Sequence, residues 1–385
     1  MTITHDEARS WLTLTLNPRL TPSQQRALLK RYGLPDEVLA QPRQQVAREF
    51  GEEVAAALAQ PPAEAQIATA LAWQSAPGHH LVPINDPNYP PRLLDLTDAP
   101  LMLYVHGRLE LLSRNAIAIV GARRATTGGR ETARAFAQAL AQAGLTVVSG
   151  LAQGIDAAAH EGALAATPAD ETAPTVAVIG TGIDRVYPAS HRALAQAIAN
   201  RGAIVTEFPL GTPALPHHFP RRNRLIAALT RATLVVEAAL ESGSLITARL
   251  ASELGRDVFA IPGSIHNPMA KGCHRLIREG ALLVDSVAEI LDALGYSPLF
   301  SAPPPGPQPP LPSALPHGQI SAPQQLPAPP SDDPLWSALG FDPVPFDLLV
   351  SRSGLPARTV SAQLLTWELE GKIARLPGDH YQRLS

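Results

Sequence analysis

Between residues 116 and 279, short apolar runs alternate with longer stretches of helical periodicity, and this alternation leaves few architectures open. Strands are expected at 116–120, 145–148, 175–179, 203–206, 233–236 and 258–261, and helices at 131–143, 155–166, 192–200, 221–229, 245–254 and near 274–279. Short apolar runs without polar alternation suit strands buried on both faces, and the intervening helices supply the cover. The fold class that follows is α/β, a doubly wound parallel sheet, in which ligands sit beyond the carboxyl ends of the strands.

The unusual loops fall at those ends. They are Gly121-Ala122-Arg123-Arg124, Ser149-Gly150-Leu151-Ala152-Gln153-Gly154, Gly180-Thr181-Gly182 and Ser242-Gly243-Ser244. Glycine lets backbone amides approach an anion, and Ser or Thr before a helix donates to phosphate or caps the helix. Phe219-Pro220-Arg221-Arg222-Asn223-Arg224 adds three arginines where the apolar helix 221–229 is expected to begin. A helix N-terminus carries about half a positive charge, so acidic residues normally follow a first-turn proline, and here guanidinium groups oppose the dipole. No Asp or Glu lies between Phe208 and Val236, so no nearby carboxylate is expected to neutralise them. Arginines, free N–H groups and a dipole converging on one point describe an anion site, most naturally for phosphate. Phe219 offers a stacking surface. An aromatic beside a phosphate clamp suits single-stranded nucleic acid, whose bases each contribute roughly 1–3 kcal/mol by stacking.

Composition narrows the classes. The 385 residues are 45% hydrophobic, enough for one sizeable core and one or two smaller units. With a net charge of -3, nucleic-acid binding must come from a local patch rather than an overall positive field. Cys273, the single cysteine, excludes internal disulfides and a multi-cysteine zinc site. The pairs His79-His80 and His217-His218 lack the i, i+4 spacing that aims two imidazoles at one metal, and no metal is expected. The N-terminus has Asp6, Glu7 and Arg9 in place of an apolar leader, and no run reaches about 18 apolar residues, so a soluble cytoplasmic protein without a membrane segment is expected.

Gly121-Ala122-Arg123 breaks the dinucleotide fingerprint, and neither a P-loop nor a Gly-x-Ser-x-Gly elbow occurs, so no cofactor is expected. Asp156 and His160, four residues apart on one helix face, form the best catalytic pair, a base and its orienter. The plainer reading has Asp156 favouring the helix N-terminus while His160 packs or bonds locally. Cys273 beside His274 likewise reads either as a nucleophile or as a small buried thiol.

Residues 297–331 hold 13 of the 39 prolines and no charged side chain other than His317, a composition that gives extended spacing and no packed core. Four regions are expected: a helical domain at 1–75, with helices at 23–32, 44–59 and 63–73; the core at 76–296; a linker at 297–331; and a small domain at 332–385. The last reads as helix, turn at Gly354-Leu355-Pro356, helix 357–370, strand 372–376, turn at Pro377-Gly378-Asp379 and strand 380–384, a winged-helix-like order. Its second helix carries Arg358 but also Glu368 and Glu370, so DNA contact and protein docking both stay open.

Ile119-Val120-Gly121-Ala122-Arg123, the 149–156 loop with Ala159-His160, Gly182-Ile183-Asp184 with Tyr187-Pro188, the Phe219 to Arg224 run, Ser242-Gly243-Ser244 with Thr247-Ala248, and Pro262-Gly263 together resemble the DNA-processing protein A family, also called DprA or Smf. The similarity runs in order from about Leu81 to Leu291. The resemblance implies an extended Rossmann-like core, a sterile-alpha-motif-like N-terminal domain and a homodimer. It also implies a non-enzymatic protein that binds and protects incoming single-stranded DNA and loads the RecA recombinase in natural transformation. Carried over by motif, the DNA contacts are Gly121, Arg123, Arg124, Gly150, Gly154, Phe219, Arg221, Arg222, Arg224, Ser242, Gly243, Ser244 and Lys271, with Asn223 orienting the loop. Ala122 stands where the family usually has serine, and Cys273 where it often has asparagine. Two rivals remain: an enzyme or sensor for a phosphorylated nucleotide, and an adaptor for which DNA is incidental.

Overall fold

In a computed structural model, which describes residues 3–167, 175–296 and 333–384, the alternation becomes a nine-stranded sheet. Its strands are β1 (His79–Pro83), β2 (Met102–Gly107), β3 (Ala116–Val120), β4 (Thr146–Ser149), β5 (Thr175–Val178), β6 (Ala203–Thr206), β7 (Ala232–Val235), β8 (Asp257–Ala260) and β9 (Leu282–Leu283). Their order is β1-β2-β6-β5-β4-β3-β7-β8-β9. The run from β6 to β9 is parallel, whereas β2 pairs antiparallel with β6 and β1 antiparallel with β2. Every residue of β3 through β7 is buried, as expected for strands covered on both faces. The order reverses direction at β3, which lies between β4 and β7, and this reversal is the topological switch point of the sheet.

Six helices precede the sheet: His5–Thr15, Pro22–Tyr32, Pro35–Leu39, Arg43–Phe50, Glu52–Leu58 and Glu64–Gln74. The single helix expected at 44–59 is broken at Gly51, whose φ of 89° takes the left-handed region that glycine alone adopts without strain. Thr4 with Glu7, and Thr21 with Gln24, form capping boxes that fix two of the starts. Trp11, Leu12, Ile67 and Leu71 pack in one core with Leu81, Met102 and Tyr104 of the first sheet edge. Each such side chain contributes roughly 1.5–3 kcal/mol when fully buried.

The chain divides into two compact units, Met1–Ile290 and Leu291–Ser385. In the second, helices Pro334–Ala338, Phe346–Ser353 and Ala357–Leu369 pack around Leu349, Val360, Leu364 and Trp367. A small antiparallel sheet joins them, with β10 (Val344–Pro345), β11 (Ile373–Leu376) and β12 (His380–Arg383) in the order β10-β12-β11. This is a winged helix. The proline-rich segment 297–331 lies outside the described residues. No helix among the described residues is long and apolar enough to cross a membrane.

Candidate nucleic-acid interface

β3 and β7 end side by side at the switch point, and the loops that follow them open a cleft of about 550 Å³. Gly121, Arg123, Arg124, Phe219, Arg222, Asn223, Ser242, Gly243 and Ser244 of the expected set line it, together with Asp156. The helix Gly243–Glu253 begins at its wall, capped by Ser242, whose Oγ accepts from the Ser244 N–H at 3.4 Å. The N–H groups of that first turn and the helix dipole favour an anion there.

Arg222 is the most informative side chain. It is 3% exposed, its Nη1 donates to the Val178 carbonyl at 2.8 Å, and its Nε has no partner. Burial pulls the guanidinium pKa down to about 10 and Arg123 adds to that, while Asp156 opposes it, so the group stays protonated at neutral pH. A buried cation with an unpaired N–H and a like charge nearby is costly unless an anion completes it. Asp156 does so only in part. Its Oδ2 accepts from the N–H groups of Gly150 (3.1 Å) and Ala152 (3.4 Å), and burial pushes its pKa up against the pull of Arg222.

The other two arginines correct the sequence reading. No carboxylate lies between residues 208 and 236, but Glu207, just outside that interval and almost fully buried, takes both of them. Arg221 donates from Nη2 to Glu207 Oε2 at 2.9 Å and from Nε to Oε1 at 3.2 Å, and Arg224 Nη2 reaches Oε2 at 2.6 Å. Arg224 also pairs with Asp98 at 3.3 Å. Neither arginine lines the cleft. The helix begins at His218, not at residue 221, so Arg221 closes its first turn and Arg222 and Arg224 stand beyond it. Pro220 has no N–H to offer, and the His218 N–H already bonds the Leu215 carbonyl. The Ser242-capped helix also begins at the cleft, where Phe219 and Pro220 of the arginine-bearing helix line the wall beside it.

Phe219 is half-buried, with the Arg123 guanidinium 5.3 Å from its ring centre and Gly180 beneath it, where a Cβ would stand 3.3 Å from the ring. Asn223 Nδ2 donates to the Gly243 carbonyl at 3.3 Å and ties this helix to the serine loop. Gly150 and Gly154 serve as clearances. A Cβ at Gly150 would stand 1.5 Å from Arg222 Nη1, and at Gly154, where φ is 80°, it would stand 2.2 Å from the Ala122 carbonyl oxygen. Lys271 is exposed at the start of helix Lys271–Arg278 and does not line the cleft.

Glu237, just past β7, was not anticipated and holds the first arginine loop. Its backbone carbonyl accepts from Ala122 N–H at 2.7 Å, and its nearly buried carboxylate accepts from Thr126 N–H (2.8 Å) and Thr126 Oγ (2.7 Å). Thr126 in turn caps helix Thr127–Gln142 by accepting from Gly129 N–H. Arg123 and Arg124 thus project from a loop fixed at both ends. An acidic residue at the carboxyl end of a strand was the available signal.

The catalytic pair does not assemble. His160 Nδ1 meets Thr175 Oγ at 2.7 Å in a fully buried setting that drives its pKa down to about 3, and Asp156 is bonded to backbone instead. Cys273 is a buried thiol near the carbonyls of Val235 and Val236, its pKa pushed up to about 12 by burial. No cluster of metal-ligating side chains occurs among the described residues.

Fold and cleft together define a Rossmann-like protein with an arginine-lined cleft at its switch point, followed in the chain by a winged helix. The family model for DNA recombination-mediator protein A matches residues 80–295, and that for the DprA winged helix domain matches residues 319–379. The chain is 42% identical over 315 residues to Protein Smf of Escherichia coli (strain K12), covering 82% of this chain and 80% of that protein. It is 45% identical over 208 residues to the DNA processing protein DprA of Streptococcus pneumoniae, over 54% of this chain and 72% of the relative. The solved structure of DNA processing protein A from Streptococcus pneumoniae matches with a TM-score of 0.64 at 36% identity, over 76% of this chain and 98% of that one. That of DNA processing protein A from Helicobacter pylori, reported for its single-stranded DNA binding mode, matches with a TM-score of 0.50 at 29% identity, over 56% and 95% of the two chains. The chain belongs to the DprA/Smf family of DNA-processing, recombination-mediator proteins.

Proposed function

We propose that this protein binds single-stranded DNA in the switch-point cleft and delivers it to the RecA recombinase, acting in the cytoplasm by binding rather than by turnover. The observation that carries the reading is Arg222, a buried guanidinium with an unpaired Nε beside Arg123 and Phe219. Phosphates would take Arg123, Arg124, Arg222 and the Ser242 to Ser244 turn, and a base would stack on Phe219. Arg221 and Arg224 position that helix through Glu207 instead of contacting DNA. The relative from Helicobacter pylori, described by its single-stranded DNA binding mode, supports the same ligand. A homodimer is part of the proposal, and the half-exposed Leu282 and Leu283 on the open β9 edge are a surface that a second copy would cover.

A recombinase-loading assay tests the reading. The intact chain should accelerate RecA assembly on single strands, and the Arg123→Ala, Arg222→Ala variant should not. If that variant is as active as the parent, the cleft is not the DNA site. A phosphorylated nucleotide as the true ligand would show itself by displacing labelled oligonucleotide at low concentration.

A further inference from the structure

Tyr187 is 50% exposed, and its ring centre lies 5.6 Å from that of Phe219 at an interplanar angle of 45°. The loop that carries it is built to hold still. Thr181 Oγ donates to the Arg185 carbonyl at 2.7 Å, Arg185 N–H to the Gly182 carbonyl at 3.0 Å, and Gly182 N–H to the Thr212 carbonyl at 3.0 Å. Ile183 and Val186 turn inward and pack in the core with Ile179 and Leu210. Tyr187 is left outside on a fixed frame, and Arg185, two residues before it, is more than half exposed, with its Nε 3.9 Å from the nearest carboxylate oxygen, on Asp184.

A rigid, exposed aromatic beside a second aromatic and next to a cation is the arrangement on which successive unpaired bases stack. The preset geometry matters because ordering a side chain on binding otherwise erodes affinity. Phe219 lines the cleft and Tyr187 does not, so a strand that places a base on Phe219 and continues outward reaches Tyr187 next. The ring separation of 5.6 Å is less than the two contacts of about 3.5 Å that a base inserted between them would need, so the second base covers the outer face of Tyr187.

We infer that Tyr187 is a second base-stacking platform, which extends the single-stranded DNA path from the cleft along the loop after β5; this rests on the cleft being the DNA site. The test is fluorescence anisotropy with labelled oligothymidylates of increasing length on the intact chain and its Tyr187→Ala, Tyr187→Phe and Phe219→Ala variants. Tyr187→Ala should weaken binding of long oligonucleotides by about 5- to 150-fold, the loss expected for one stacked base, and leave the shortest that bind unaffected. Tyr187→Phe should bind like the parent, since a ring is all that stacking needs. If Phe219→Ala loses affinity while Tyr187→Ala does not at any length, the second platform is refuted and the cleft stands. Equal losses in Tyr187→Phe and Tyr187→Ala would assign the effect to the hydroxyl and also refute stacking. Unchanged binding in Phe219→Ala would remove the cleft reading itself.

Discussion

Glu237 gives the sharpest separation between what holds the site and what touches the ligand. Replacing it with alanine removes the acceptor for Thr126 N–H and Thr126 Oγ, both bonded at under 3 Å, and leaves the Ala122 N–H bond to its backbone carbonyl intact. A hydrogen bond to a charged group contributes about 1.5–3 kcal/mol, and Thr126 is half-exposed, so water recovers part of the loss. The stability cost should be about 2–4 kcal/mol. On the binding side, about one residue's worth of backbone freedom returns to the Arg123-Arg124 loop, and DNA must remove it again. With one residue's backbone entropy at about 1–2 kcal/mol, affinity for single strands should fall about 5- to 30-fold. Glu237→Gln keeps one acceptor oxygen and should recover most of both losses. Thermal denaturation gives the first number and anisotropy the second. If Glu237→Ala melts earlier yet binds DNA like the parent, the loop does not need its clamp and the argument from preorganisation fails.

Four further outcomes follow from the same structure. Arg222→Met should remain folded, because it replaces a buried cation having an unpaired Nε with an apolar stem, while single-strand affinity drops about 10- to 150-fold and the salt slope falls by about 0.7 in an anisotropy series. Gly150→Ala, which places a methyl against the same guanidinium, should act in the same direction. His160 is held neutral down to a pKa of about 3 in the fold but takes a proton near 6.5 when unfolded, so the unfolded state binds more protons between those values and stability falls as pH drops below about 6.5. His160→Gln should flatten that dependence between pH 6.5 and 5 by about 2 kcal/mol, measured by urea denaturation at each pH. Leu282→Asp should convert a dimer to a monomer in light scattering while the far-ultraviolet circular dichroism stays that of the parent, since the side chain is half-exposed in a single copy.

Much of this was legible in the chain because it is local. Apolar runs of four or five residues marked β3 to β8, and the glycine- and serine-bearing loops between them are the ones that meet at the switch point. What escaped depends on distance in sequence. Glu207 lies 14 and 17 residues from the arginines it holds, and Glu237 lies 111 from Thr126. No local window reveals such pairs, so the three arginines of one helix read as a single cluster although only Arg222 enters the cleft. The expected start at 221 lies three residues late because Pro220 reads as the boundary of the helix, whereas His218, Phe219 and Pro220 itself form its first turn. The antiparallel strands β1 and β2 were missed because their histidines and tyrosine interrupt the apolar signal.

The most direct test of the account is anisotropy with matched single-stranded and duplex DNA over a salt series, comparing the intact chain with its Arg123→Ala, Phe219→Ala, Arg222→Ala variant. The intact chain should show a strong preference for single strands and a salt slope near 0.7 per phosphate neutralised, and the variant should lose both. Equal affinity for duplex and single strands, or a variant that binds as the parent does, would contradict it.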